Sequence, residues 1–112
     1  MPEKLRVAVA SSQGREVDLH FGHADQFLVF DILPHQVEFI DARKVPAEED
    51  DMEGVEDLDR VVELVSDCQY VVSRRAGPHA VERLSGRGIR SVEHVGSLVA
   101  GLQELRSLVK AA

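Results

Sequence analysis

One cysteine, Cys68, stands among the 112 residues. A lone thiol excludes an internal disulfide and a self-contained Cys-ligated zinc or iron–sulfur site. Basic residues are also scarce, thirteen Lys and Arg against twenty Asp and Glu, for a formal charge of −7. Nucleic-acid binding depends on a Lys/Arg excess on one face, so no nucleic-acid partner is expected. An anionic small ligand needs only a local concentration of positive charge. No apolar run is long enough to cross a bilayer, and the opening MPEKLRV has no apolar signal-peptide core. No membrane partner is expected, and the chain reads as cytoplasmic. With 44% hydrophobic and 29% charged residues, it has the composition of a soluble globular protein long enough to bury a core. Residues 1–112 read as a single domain.

The hydrophobic periods supply the elements. Leu5 to Ala10 reads as a strand, Leu5, Val7 and Val9 on one face and Ala8 and Ala10 on a face closely covered by a helix. After a polar loop and a histidine-bearing turn, Phe27 to Leu33 is a second strand and Gln36 to Ala42 a third, Val37 and Phe39 alternating against Glu38 and Ile40. The short Pro34-His35 connection implies an antiparallel hairpin. Lys44 to Gly54, with five acids between Glu48 and Glu53, reads as a solvated loop, with a lid or partner-docking role as the other reading. Val55 to Ser66 carries a helical stripe of Val55, Leu58, Val62 and Val65. Tyr70 to Ser73 is a short buried strand. Gly77-Pro78 starts a helix that turns Ala80, Val81 and Leu84 inward, and Ile89 to Val92 is the last strand. Ser97 caps a final helix whose inward face is Leu98, Leu102, Leu105 and Val109. Gly101 within it costs roughly 1 kcal/mol relative to alanine and implies close packing. The order βββαβαβα predicts an α/β fold, its first, fourth and fifth strands parallel and the second and third an antiparallel edge.

Chemistry concentrates around VDLHFGHADQFLVFD, residues 17–31. His20 and His23 lie three apart in a polar turn, and imidazole is the commonest protein metal ligand. Gly22 suggests a positive φ or a close approach, and Asp18 and Asp25 are placed to orient an imidazole. The plainer alternative is two solvated turn histidines and a helix-capping aspartate. In open α/β sheets, ligands bind outside the carboxyl ends of the parallel strands. That rule selects Ser11, Ser12, Arg15, His20 and His23 after the first strand. It selects Ser73, Arg74, Arg75 and Gly77, followed by Pro78-His79, after the fourth, and His94 after the fifth. Hydroxyls, guanidinium groups, imidazoles and a helix N-terminus suit a bulky anion with metal or sulfur character better than bare phosphate. Arg74 and Arg75 also read as a surface pair answering the acidic helices. His35 falls at the other end of the sheet, and Cys68 reads as core.

LRVAVASS, EVDLHFGHADQFLVFD and DCQYVVSRRAGPHAVERLSGRGI together resemble the dinitrogenase iron–molybdenum cofactor biosynthesis family, the domain shared by NifX- and NafY-like carriers and the C-terminal part of NifB-like proteins. The resemblance covers nearly the whole chain, and its most specific element is the HFG turn. It implies a ribonuclease H-like fold, a five-stranded mixed sheet of order 3-2-1-4-5. It also implies binding, without catalysis, of an iron–sulfur or iron–molybdenum–sulfur cluster or its precursor for delivery to apo-nitrogenase or cofactor-assembly proteins. The family's cluster-binding histidine falls on His20. Arg74, Arg75 and the helix start at Gly77 would balance cargo charge, with His20 and His23 as the metal ligands. No radical-SAM cysteine motif is present, so cluster building is not expected. A ribonuclease H-type nuclease needs acids on its first strand, and residues 5–10 have none. The alternative from another class is a regulatory module that binds a small anion or a partner without a cluster.

Overall fold

In the computed structural model, which describes residues 4–45 and 54–109, Leu5–Val9 forms β1. Leu5, Val7 and Val9 enter one core, and Ala8, followed by Ala10, enters another. A strand buried on both faces has to lie inside a sheet covered on both sides. Gln26–Ile32 (β2) runs antiparallel to β1, Leu5 facing Ile32 and Val9 facing Leu28. Val37–Lys44 (β3) continues the hairpin outward, its turn closed by the Leu33 amide on the Gln36 carbonyl at 2.8 Å. On the other side of β1 lie Tyr70–Ser73 (β4) and Arg90–Glu93 (β5), both parallel to it. The order is β3-β2-β1-β4-β5, the mixed arrangement expected.

Gly54–Leu64 (α1) and Pro78–Gly86 (α2) cover one face. Val61, Val62, Val65, Ala80 and Leu84 meet Ala8, Phe27, Val29 and Val71 there. Leu98–Arg106 (α3) covers the other, with Leu98, Leu102, Leu105 and the following Val109 against Leu5, Val7 and Val9. The Ser97 hydroxyl caps α3, accepting from the Ala100 amide at 3.0 Å. Among the described residues no helix is long and apolar enough to cross a membrane. The acidic stretch 48–53 lies outside the described residues.

Two expectations need correction. Val81 does not turn inward but is 42% exposed. Ala80 and Leu84, one turn apart, already fill the contact, and Val81 is rotated about 100° from Ala80. The third strand does not alternate simply. The β2–β3 register shifts between Val29 and Phe30, so that Phe30 faces Phe39 while Val29 faces Asp41. Ile40 is the extra residue of a bulge and packs toward the core beneath α1 and α2. Phe39 is left 58% exposed, edge-on to Phe30 at 5.5 Å between ring centroids.

Candidate functional site

The loops leaving β1 and β4 are joined through their backbones. The Arg74 amide donates to the Leu19 carbonyl at 2.9 Å, and the Phe21 amide donates to the Arg75 carbonyl at 2.8 Å. His20 and Arg75 are thus paired as in a parallel ladder. Phe21 anchors this segment: it is fully buried, with its ring 5.5 Å from that of Phe27. With Phe21 held inward, His20 on one side and Gly22 on the other are exposed.

Between these loops and the end of β5 lies an open cleft of about 490 Å³. His20 and residues 74–78 line it, with Glu93 and Val95 on the third side. Among the described residues, the His20 imidazole makes no hydrogen bond or ion pair, and neither does the guanidinium of Arg74 or Arg75. Gly77 is the residue before the first turn of α2, and a Cβ there would meet nothing within 4 Å. The cleft therefore offers a nitrogen lone pair, two forked cations and an open helix start. Beneath it Ser73 is fully buried, its hydroxyl without a partner among the described residues.

The other candidates are placed differently. Ser11 is buried, its hydroxyl donating to the Glu16 carbonyl at 2.7 Å and accepting from the Gly14 amide at 2.9 Å. Ser12 is bound through both hydroxyl and amide to Asp18. Burial pushes the Asp18 carboxyl up, but these Ser12 bonds outweigh it and hold the group below the usual carboxylate range. Both serines shape the loop and neither lines the cleft. His23 closes the 3-10 turn Phe21–His23, with its ring centroid 6.4 Å from that of His20. No hydrogen bond joins Asp18 or Asp25 to either imidazole among the described residues. Gly22 does not need its glycine for the backbone: the positive-φ glycines are Gly14, Gly88 and Gly96, and a Cβ on Gly22 would meet open space. His94 is turned away, its Nε2 3.1 Å from the Ser97 carbonyl and its Nδ1 3.7 Å from Glu104. Cys68 is buried in the core beneath α1 and α2.

Glu93, missed in the sequence, lines the cleft and accepts from the Ala76 amide at 3.1 Å. The rule that selected His94 should have selected it, because Glu93 is the last residue of a parallel strand. Among the described residues no group of three or more His, Cys, Asp or Glu side chains is arranged to hold a metal ion.

Residues 3–107 match the family described as dinitrogenase iron-molybdenum cofactor. The FeMo cofactor biosynthesis protein NifB of Frankia alni is 34% identical over 97 residues, covering 81% of this chain and 19% of its own. Protein NifX of Azotobacter vinelandii is 31% identical over 109 residues, covering 91% of this chain and 68% of its own. The chain thus spans about a fifth of that NifB relative and about two thirds of NifX. The apo form of the orange protein from Desulfovibrio gigas shares the fold, with a TM-score of 0.68 at 21% identity over 100% of this chain and 96% of that one.

Proposed function

Because the chain belongs to the dinitrogenase iron–molybdenum cofactor family, we propose that it is a non-catalytic, cytoplasmic carrier of an iron–sulfur or iron–molybdenum–sulfur cluster, or of a precursor. The NifB relatives are named for FeMo cofactor biosynthesis; this chain takes the binding share of that task and passes its cargo to cofactor-assembly proteins or apo-nitrogenase. The observation that carries this reading is the His20 imidazole, free of hydrogen bonds among the described residues and lining the same cleft as two unpaired guanidinium groups.

In this mechanism His20 gives its lone pair to an exposed metal of the cargo. His23, one short turn away, is the second nitrogen within reach of a large cluster. Arg74 and Arg75 donate to anionic sulfur or oxygen atoms. Each charge-assisted hydrogen bond is worth about 1.5–3 kcal/mol. Two of them add well under the about 10–16 kcal/mol of a permanent structural zinc site. Few ligands of this strength suit a cargo that has to leave again. A nuclease of the ribonuclease H type would need acids on its first strand, and residues 5–9 of β1 carry none.

The test is an anaerobic titration of a purified iron–molybdenum–sulfur cluster into the wild type, His20→Ala and His23→Ala, read by visible absorption between about pH 5.5 and about pH 8. His20→Ala should lose most binding while keeping its melting temperature, since the ring is exposed. His23→Ala should lose less. Wild-type binding should weaken toward the acid end, because protons compete with metal for imidazole. Full affinity in the His20 variant would sink the carrier mechanism and leave the cleft as a small-anion site of a regulatory module.

A further inference from the structure

We propose that Glu93 is a tethered competitor that keeps free oxyanions out of the cleft and so makes it selective for cargo with an open metal. The inference rests on the carrier reading and adds how the site discriminates. Two guanidinium groups without an ion pair among the described residues, lining a cleft with an open helix start, would by themselves bind phosphate or any similar oxyanion. Glu93 lines that same cleft, placed there by the parallel register that sets it beside Ser73. Its Oε2 accepts from the Ala76 amide at 3.1 Å, so the N–H immediately before Gly77 already holds a carboxylate.

A carboxylate attached to the chain competes at a high effective concentration with anions from solution. It also adds a fixed negative charge next to Arg74 and Arg75. Among the described residues Glu93 forms no ion pair with either arginine, so its charge is not absorbed by them. An oxyanion has no acceptor orbital to offer and meets only repulsion from this group. A cluster with an unsaturated iron or molybdenum can take the carboxylate oxygen as a further donor, alongside the His20 nitrogen. The same side chain therefore opposes one class of ligand and assists the other.

The test uses inorganic phosphate and needs no cluster. Phosphate is titrated into the wild type, Glu93→Gln and Glu93→Asp, following the backbone amides of Arg75, Ala76 and Gly77 by NMR. Glu93→Gln keeps an oxygen for the Ala76 amide and removes the charge. It should bind phosphate at least tenfold more tightly than the wild type, with the gap narrowing at high ionic strength. Glu93→Asp keeps the charge and should stay close to the wild type. Equal or weaker phosphate binding by Glu93→Gln, or an equal gain in Glu93→Asp, would overturn the proposal. If instead phosphate behaves as expected and the His20 titration shows no cluster binding, only the carrier reading fails.

Discussion

Burial pushes the Cys68 thiol up to about 12, with the neighbouring Asp67 carboxylate adding to the shift. At neutral pH such a group carries almost no thiolate to give to a metal, and its position before β4 is at the opposite end of the sheet from the cleft. Cys68→Ala should therefore lower stability by about 1–2 kcal/mol, as a small core truncation does, and leave cluster affinity unchanged. Urea unfolding measures the first and the anaerobic titration the second. A variant that folds normally but no longer takes up cluster would make the thiol a ligand. The burial of this residue was legible from its type and its place before an apolar strand. Close packing at Gly101 was legible as well, but the partner it packs against was not. A Cβ there would come within 3.2 Å of His94 Cδ2, a side chain that folds back from the loop after β5 to reach the start of α3. That packing brings together two residues whose adjacency no periodicity records.

The strands are also tied together by ions that their apolar patterns do not announce. Arg6 in β1 holds Asp31 in β2 with two bonds, Nε to Oδ1 at 2.8 Å and Nη2 to Oδ2 at 3.0 Å. It also reaches Asp67 at 3.1 Å, and Asp67 is gripped by Arg43 of β3 at 2.6 and 3.0 Å. The Arg6 bonds hold the Asp31 carboxyl below the usual carboxylate range against the cost of its burial, and Arg43 does the same for Asp67. A carboxylate depressed in the folded state stabilises fully above its unfolded pKa, about 3.9, and that stability is lost as the pH falls through the folded value. The protein should therefore weaken progressively below about pH 4. Asp31→Asn should cost stability at neutral pH and flatten that acid limb, as followed by denaturant midpoints across a pH series. An acid limb as steep as the wild type's would remove Asp31 from this role. Periods of two and 3.6 residues located the strands, and the starts of the three α-helices, among the described residues to within a residue or two, although the last helix ends at Arg106, short of Val109. They could not locate the Ile40 bulge or the outward turn of Val81, because both depend on which neighbour is met across the sheet.

At the scale of the whole molecule, a chain of net charge −7 holds at one cleft two guanidinium groups that form no ion pair among the described residues. Arg6, Arg43, Arg83 and Arg87 are all engaged with carboxylates. The carboxyl-end rule selected three loops that meet at one cleft. It could not say which side chains would face the opening, since the backbone pairing of residues 19–21 with 74–75 decides that, turning His20 outward and leaving Ser11 and Ser12 inside their own loop. The acidic body is screened beyond about 8–10 Å at physiological salt, so any anion entering the cleft would feel mainly the groups that line it. If Arg74 and Arg75 supply the local attraction, Arg74→Gln with Arg75→Gln should weaken cluster binding and flatten its dependence on ionic strength. The fold should survive, because both side chains are exposed and neither forms an ion pair among the described residues. Binding followed by visible absorption across a salt series decides the matter. An affinity and salt slope equal to the wild type's would mean that the two arginines serve only as solvated surface. A loss of affinity at every salt concentration with the slope unchanged would mean that they shape the cleft and do not attract its cargo.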